Sequence, residues 1–383
     1  MSDDRRRGAG DSSERGSVHD AVTDDVPPPD EPATADAPRK GTFGWQQVIA
    51  LIVTLVVLVV VFAVVLPQLG DYDDAWQAIQ DLSAGWLAAL LAVTVVNIVI
   101  YVFPYQAALP GLGYRQAFVV RQTSFMISNV IPAGGAIGIG VQYAMLSGYG
   151  QGPAPATAVI GVTSTWNTMV TLCLPVVALT GLAVTGQADA VATTVAVVGL
   201  VVVAVMIGAL ASILRNEGTA RRIGDLASRG IAALARMVGR TLEVDAGRAV
   251  VEFRNSIVGV VARRWHVVTA TNLLQQLAQF SVLWVALVAV QGGSSEATLV
   301  EAFAAFAFAR LATFIPVPPG GLGTTDAALT AILQAFGVGA DLALAAVLVW
   351  RAATYLPQVF IGIATFATWR LRRRRRSEAP RAG

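Results

Sequence analysis

The sequence predicts an all-α protein, a polytopic membrane helix bundle with about six full spans plus two re-entrant helical hairpins related as an inverted repeat. Of the 383 residues, 55% are hydrophobic and only 14% are charged, and the mean hydropathy is +0.62. Soluble domains contain about 25% charged residues, so this composition indicates a chain whose main solvent is lipid. The apolar runs are long and lack a period-two alternation, which favours helices over a β-barrel.

Two polar tails flank one apolar domain. Residues 1–44 are rich in Asp, Pro, Ser and Arg, and such a segment cannot bury enough apolar surface to offset its ordering entropy. We therefore expect a disordered cytoplasmic tail. It does not resemble a signal peptide, because the first apolar run comes too late in the chain. Residues 45–370 are expected to form the membrane domain, and residues 371–383 form a basic cytoplasmic tail.

The order of apolar runs predicts the spans, each of which needs about 20 apolar residues. The predicted spans are residues 48–66, 86–107, 156–182, 190–214, 265–291 and 341–369. The links at 67–85 and 185–189 contain acidic residues and neither lysine nor arginine, whereas the segment 215–264 is rich in arginine. The positive-inside rule therefore predicts a multi-pass protein of the cell (inner or plasma) membrane with both termini in the cytoplasm.

The arginine-rich insertion at 215–264 has two interpretations. Apolar residues from Ile223 to Val238 recur at near-helical spacing between arginines. This pattern suits a basic amphipathic helix that lies on the anionic inner leaflet. A helical hairpin standing in the cytosol fits it equally well.

Two segments, one in each half, interrupt apolar helices with proline and glycine. Proline removes a backbone donor and glycine has little helical preference, so each cluster should break its helix. In the first half the flanking pieces are about fifteen and eleven residues long, too short to cross a core of about 30 Å. In the second half the leading piece, 297–315, is just long enough to span, and the trailing piece, 325–336, is short for a return.

Loop charges predict that the first broken segment enters from the cytoplasm and the second from outside. Two similar elements of opposite polarity suggest an inverted repeat, which points to a transporter binding site near the membrane midplane. The alternative is that the clusters are turns and small-residue packing surfaces, since Gly134 and Gly138 also have a small-xxx-small spacing.

Charged residues are predicted inside the membrane. Arg310 and Arg351 lie near the middle of their segments, where an arginine costs about 2.5–3.5 kcal/mol on insertion scales. Asp326 opens the helix after the second break, where a carboxylate complements the helix dipole. In a purely structural interpretation, Asp326 caps its helix and pairs with one arginine. In the functional interpretation, the spare arginine holds a phosphate.

These observations predict a substrate-binding site without metal or cofactor. Its candidate residues are Arg121, Asn129, Pro132, Gly134, Gly135, Arg310, Pro319, Gly320, Gly321, Gly323, Asp326 and Arg351. Further polar side chains are expected either to line the same pathway or to bond between helices: Asn97, Asn167, Asn272, Gln275, Gln276 and Gln279. Cys173 is the single cysteine, and the two histidines, His19 and His266, have no metal-binding partner in the pattern.

The run from Pro318 to Asp326, with Asn129, Pro132 and Gly135 upstream, resembles a flippase-like transmembrane family. That family includes the membrane part of lysylphosphatidylglycerol synthases and many stand-alone bacterial proteins. The resemblance covers about residues 45–370 and implies a membrane domain that handles lipids.

Two departures from the family pattern stand out. Where family members often carry Gly-Glu and then Arg after the first proline, this chain has apolar or small residues around 136–143. This difference argues against carrying over a lysyl-lipid substrate. The acid of the second motif is usually Glu and here is Asp326. The soluble aminoacyl-transfer domain of the bifunctional relatives is missing after the last span, so lipid synthesis is not expected.

The leading functional hypothesis is a flippase or transporter component for an anionic lipid, either a phospholipid or a polyprenyl-phosphate carrier. The expected partners are anionic membrane lipids, with no nucleic acid. The alternative is a membrane scaffold or regulator of cell-envelope biosynthesis enzymes, whose docking surfaces would be the basic insertion and the tail. A membrane enzyme is disfavoured, since the predicted spans carry no nucleophile–base pair, carboxylate cluster or metal site.

Overall fold

The structure, a computed structural model, describes residues 71–131, 134–187, 204–222 except 206, 246–314 and 321–378, with isolated positions at 201, 225 and 228. Every regular element in this part of the chain is a helix. The elements are α1 (Tyr72–Gln80), α2 (Ala84–Ile100), α3 (Phe103–Ala108), α4 (Tyr114–Val130), α5 (Gly134–Gly148), α6 (Pro153–Val184), α7 (Ala246–Val290), α8 (Leu299–Ala309), a 3₁₀ helix (Arg310–Phe314), α9 (Thr324–Ala335) and α10 (Ala340–Glu378).

Four of the described helical segments are long and apolar enough to cross a membrane. They are Ala84–Ala108, Pro153–Val184, Val258–Val290 and Ala340–Arg373. The predicted spans that begin at 86, 156, 265 and 341 correspond to these four. The predicted span 48–66 and most of 190–214 lie outside the described residues, as do the tail 1–44 and residues 379–383. The count of six therefore remains a prediction.

The helix α7 begins much earlier than the sequence pattern suggested. Trp265 was expected to open a span, but α7 runs without interruption for 45 residues from Ala246. Near its start, Arg254 Nε donates a hydrogen bond of 3.0 Å to the carbonyl oxygen of Ile213. This bond brings the chain just before the arginine-rich insertion next to its last part. The helix α7 continues into the span because neither a proline nor a glycine pair interrupts it. The predicted amphipathic stretch, 223–238, lies almost wholly outside the described residues.

The first broken segment is a pair of helices that pack closely. α4 has 17 residues and α5 has 15, somewhat longer than the predicted fifteen and eleven. A Cβ atom on Gly134 would overlap the carbonyl oxygen of Ile127, and one on Gly138 would overlap the hydroxyl of Ser128. The two helices therefore meet through a small-residue surface. At 1.5 Å per residue, α4 is about 26 Å long, and its re-entrant path remains a prediction.

In the second broken segment the leading helix is shorter than predicted, whereas the trailing helix has the predicted length. The leading piece was expected to extend to residue 315 and just span the membrane, but α8 has 11 residues and ends at Ala309. A 3₁₀ turn of five residues follows, and α9 then has 12 residues. Gly321 and Gly323 adopt positive φ angles of 64° and 82°, which side chains with a Cβ rarely adopt. The chain therefore departs from α-helical geometry both after α8, in the 3₁₀ turn, and before α9, at the two glycines.

Candidate anion-binding cavity

The two broken segments and the four candidate spans line one polar cavity of about 350 Å³. The first broken segment contributes Arg121 and Asn129, and the second contributes Arg310 and Thr313. Arg351 enters from α10. The remaining lining residues are Tyr101, Pro104, Tyr105, Phe125, Thr163, Ser164, Asn167, Asn272, Gln275, Gln279, Thr354, Tyr355 and Gln358. Residues far apart in the sequence thus meet around one space, and the arginines are its only charged lining residues among those described.

Arg351 is held by Asp326. Its Nε atom donates a 2.7 Å hydrogen bond to Oδ1 of Asp326, and its Nη2 atom lies 2.6 Å from the same oxygen. The other oxygen of Asp326 accepts a hydrogen bond of 2.8 Å from the backbone N–H of Gly323, which precedes α9. The carboxylate side chain is 2% exposed. Both carboxylate oxygens are therefore occupied, one by the helix cap and one by the guanidinium.

Arg310 lies where α8 ends and the 3₁₀ helix begins. Its guanidinium carbon is 5.9 Å from the ring centroid of Phe306. Its Nε atom is buried without a hydrogen-bond partner, and the described residues provide no carboxylate within ion-pair distance. This cation therefore faces the cavity without a compensating anion in the described part of the chain.

Arg121 is held between two aromatic rings. Its guanidinium carbon lies 4.5 Å from the ring centroid of Tyr101 and 4.7 Å from that of Phe125. The negative faces of aromatic rings attract such a cation, and the attraction increases when water is excluded. The residue is 8% exposed, and its Nη1 atom has no hydrogen-bond partner among the described residues. The rings fix the position of the charge but do not neutralise it.

The described residues around the cavity therefore contain three guanidinium groups and a single carboxylate, that of Asp326. Buried charges are expensive unless they are paired. Two positive charges, on Arg121 and Arg310, remain without an anionic partner in this part of the chain. An anion in the cavity would supply that partner, and a phosphate would match the planar donor geometry of arginine.

A family model described as the lysylphosphatidylglycerol synthase TM region matches residues 47–362. This chain belongs to that family. The matched region includes every lining residue of the cavity, from Tyr101 to Gln358. No curated protein matched the chain in a separate search.

Within this lysylphosphatidylglycerol synthase TM domain, the sequence-predicted charged residues come together. Arg121, Arg310 and Arg351 all line the cavity. Asp326 does not line it but accepts a hydrogen bond from Arg351. Asn129 also lines it, and the carbonyl oxygen of this residue accepts a 2.8 Å hydrogen bond from the hydroxyl of Tyr355.

Of the predicted glycines, the four that the structure describes do not line the cavity. Gly134 is buried against α4, and Gly321 and Gly323 form the turn before α9. Gly135 is exposed, and a Cβ atom added to it would have no atom within 4 Å. Their described roles are packing and turn formation. Pro132, Pro319 and Gly320 lie outside the described residues.

The uncharged lining was predicted in part. Of the amides expected along a pathway, Asn167, Asn272, Gln275 and Gln279 line the cavity, whereas Asn97 and Gln276 do not. Asn167 Oδ1 accepts hydrogen bonds from both Gln275 Nε2 at 3.1 Å and Gln276 Nε2 at 3.2 Å. These bonds between α6 and α7 agree with the alternative interpretation of the amides as interhelical contacts.

Three tyrosines and Gln358 were missed by the sequence analysis. Tyr101 and Tyr105 lie four residues apart at the end of the first described span, and Tyr355 and Gln358 lie three residues apart in the last. Polar side chains at helical spacing within an apolar run were a signal for a shared polar face. That signal was available, but the sequence did not show that the two faces turn toward the same space.

Proposed function

We propose that this protein is a flippase, or the membrane component of one, for an anionic phospholipid or polyprenyl-phosphate lipid in the cell membrane. The observation that carries the proposal is the excess of arginine over carboxylate at the cavity. Arg121 and Arg310 have no anionic partner among the described residues, and Arg351 is already paired. A lipid phosphate would provide the missing negative charge.

The contribution of both broken segments supports transport through this site. Non-helical backbone at membrane depth is tolerated where it is buried in protein or lines a polar cavity. Thr313, in the 3₁₀ turn of the second break, lines the cavity, as does Asn129 near the end of α4. In the proposed mechanism, the broken segments move relative to the long helices and expose the phosphate site to each side in turn. We propose no catalytic step.

The polarity of the pathway fits this mechanism. A lipid that crosses the bilayer must keep its head group solvated by polar atoms while its acyl chains stay in the hydrocarbon. The cavity offers uncharged donors and acceptors on α6 and α7 beside the arginines, including Ser164, Asn167 and Gln275. We propose that the arginines bind the phosphate and that these side chains replace water around the rest of the head group.

The test is transbilayer movement of labelled anionic lipids in liposomes that contain the purified protein. The variants are Arg121→Ala and Arg310→Ala, and the control is Arg115→Ala. Arg115 lies on the same helix as Arg121 but is exposed and outside the cavity. Hydrogen bonds to charged groups contribute about 1.5–3 kcal/mol, so each cavity variant should reduce movement by about tenfold or more. The control should retain it.

Protein-dependent movement that disappears in the cavity variants, with retained helical circular dichroism, supports a flippase. No movement of any anionic phospholipid or polyprenyl phosphate above the level of empty liposomes would overturn the proposal. Equal movement in the cavity variants and the wild type would overturn the assignment of the site. In the scaffold alternative, Arg310→Ala would leave copurification with envelope-biosynthesis enzymes unchanged.

A further inference from the structure

We propose that helix α10 bends at a hinge formed by Pro357, and that the part of α10 after this hinge moves together with the first broken segment. The hinge rests on the proposed function and specifies the conformational change that would carry it out. The neighbours of α10 on each side of Pro357, and the backbone bonds around that proline, support the hinge.

The buried apolar residues in the described part of the chain contain two separate clusters. One, the α8–α9 cluster, joins α8 and α9 to the later parts of α6 and α7. The other, the α4–α5 cluster, joins α4 and α5 to the earlier parts of α6 and α7. Along α10, apolar residues between 343 and 350 belong to the α8–α9 cluster, cavity-lining residues follow at 351–358, and Trp369 packs against the α4–α5 cluster. The helix therefore passes from one cluster to the other at the level of the cavity.

The part of α10 before Pro357 is anchored to α7 and to the second broken segment. The indole Nε1 of Trp350 donates a 3.2 Å hydrogen bond to the carbonyl oxygen of Gln279, and its ring centroid lies 6.3 Å from that of Phe306 on α8. Arg351 adds its ion pair with Asp326 in the first turn of α9. Three neighbouring elements therefore hold this part of the helix in place.

The part of α10 after Pro357 is packed closely against α4. A Cβ atom on Gly362 would overlap the Cβ of Met126 and the carbonyl oxygen of Gln122, so the two helices approach each other at backbone distance. One turn further along, the buried hydroxyls of Thr123 and Thr365 are 3.0 Å apart and share a hydrogen bond. Packed surfaces with this fit do not deform continuously. We therefore infer that this part of α10 and α4 move as one body.

Pro357 lies between these two anchored parts, inside the continuous helix α10. Proline has no N–H, so the carbonyl oxygen of Ala353 lacks its usual helical donor, and the ring also displaces the preceding turn. Nearby, Thr354 Oγ1 donates to the carbonyl oxygen of Trp350 at 2.7 Å, and Gln358 Nε2 donates to that of Thr354 at 2.5 Å. Side-chain bonds to the preceding turn compete with the helical ladder and often bend helices. The backbone of α10 is therefore weakest beside the cavity.

The helices α6 and α7 pass the cavity without such a break. α7 contains no proline between Ala246 and Val290, and the internal proline of α6 lies beyond its cavity-lining residues. At cavity level the two helices are joined by hydrogen bonds of 3.1 Å from Gln275 to Asn167 and 3.2 Å from Gln276 to Thr171. This pair therefore forms the fixed part against which α10 bends.

Bending at Pro357 would change the separation of the cavity arginines. Arg121 lies on α4, which follows the part of α10 after the hinge, whereas Arg351 lies before the hinge. An anion bound by both would favour the state in which they are close. The hydroxyl of Tyr355, which also precedes the hinge, donates a 2.8 Å hydrogen bond to the carbonyl oxygen of Asn129 on α4. Bending would break this bond and widen the cavity between α4 and α10.

The first experiment compares lipid movement with lipid binding in Pro357→Ala. Alanine restores the missing N–H and favours a straight helix, so the variant should unfold at the same temperature as the wild type or above it. Movement of labelled phosphatidylglycerol in liposomes should slow by about tenfold or more, whereas its affinity in nanodiscs should stay within about twofold. The control is Pro153→Ala, at the exposed first residue of α6, where no helical N–H is needed. It should leave both quantities unchanged.

The second experiment measures the motion directly. Spin labels are placed at Ala335→Cys in α9 and at Thr368→Cys in the last part of α10, both exposed positions, in a Cys173→Ala background. Electron–electron resonance in nanodiscs should show two label distances in the wild-type sequence, with populations that change when phosphatidylglycerol is added. Pro357→Ala should show one distance under both conditions. Tyr355→Phe should increase the share of the bent state, because it removes the bond to Asn129.

The outcomes separate the hinge from the proposed function. A Pro357→Ala variant that moves lipid at the wild-type rate, or that shows the same two distances as the wild type, would overturn the hinge and leave the lipid site in place. A loss of movement that is matched by a loss of affinity would also overturn it, because Pro357 would then shape the site. No movement of anionic lipid by the wild type would overturn the proposed function, while the label distances would still test the hinge.

Discussion

Arg351 and Asp326 form a buried ion pair in which Nε and Nη2 of the arginine both lie within 2.7 Å of Oδ1. The pair joins the last span, α10, to the start of α9, because Oδ2 of Asp326 also caps that helix through the N–H of Gly323. A single carboxylate thus fixes the position of the second broken segment. Arg310 forms no ion pair with this carboxylate. Arg351 and Arg310 should therefore respond differently to substitution.

Replacing Asp326 should destabilise the fold. Removing one partner of a buried ion pair costs about 3–5 kcal/mol, since the remaining charge is left uncompensated. Asp326→Ala also removes the helix cap and should therefore unfold at the lowest temperature. Asp326→Asn keeps an acceptor for the N–H of Gly323 and should lose less. Thermal unfolding in detergent, followed by circular dichroism, measures the difference, and equal losses for the two variants would show that the cap contributes nothing.

Replacing Arg310 should have the opposite effect on stability. Arg310→Met removes a cation that has no anionic partner among the described residues, so the free energy of unfolding should rise by about 1–3 kcal/mol. Arg351→Met is the matched comparison, because it leaves Asp326 unpaired and should lower the same quantity. Denaturant unfolding in detergent measures both. If Arg310→Met is destabilising, Arg310 has a structural partner and its role as a free phosphate ligand is wrong.

The aromatic ring of Tyr101 should matter more than its hydroxyl for anion binding. The ring positions Arg121 at 4.5 Å, and the hydroxyl donates a 2.6 Å hydrogen bond to Gln279. Cation–π contacts contribute about 0.5–2 kcal/mol. Tyr101→Leu should therefore weaken phosphatidylglycerol binding about 2- to 30-fold, whereas Tyr101→Phe should leave it nearly unchanged. Binding of fluorescent phosphatidylglycerol to the purified protein in nanodiscs measures both variants, and a loss in Tyr101→Phe equal to that in Tyr101→Leu would assign the effect to the hydroxyl.

Adjacent glycines in the first break should respond differently to alanine. A Cβ at Gly134 would overlap the backbone oxygen of Ile127, whereas a Cβ at Gly135 has no atom within 4 Å. Overpacking typically costs about 1–3 kcal/mol, so Gly134→Ala should lower the unfolding temperature and Gly135→Ala should leave it unchanged. If Gly135→Ala unfolds normally but blocks lipid movement, Gly135 lies on the moving part of the pathway.

The sequence alone predicted that this protein lies in a lipid membrane, and it predicted most of the charged residues at the cavity. Long apolar runs determine which segments cross the lipid, because unsatisfied backbone polar groups are excluded from hydrocarbon. The same logic identified Arg310, Arg351 and Asp326 as charges in need of partners. The helix breaks were also predictable, since proline and glycine act locally on the backbone. For α8, however, the predicted length was wrong, because its last residues adopt 3₁₀ geometry before any proline is reached.

Only the tertiary structure decided which residues meet. The sequence left open which arginine pairs with Asp326, and it did not show that Arg121 lies between Tyr101 and Phe125. It also could not show that Gln358 and Asn272 line the same space as the arginines. These contacts join positions that are distant in the chain, and they depend on how helices rotate about their axes and pack against one another. Hydrophobic periodicity determines that a helix is buried, but the choice between neighbouring rotations depends on side-chain fit, which no local pattern contains.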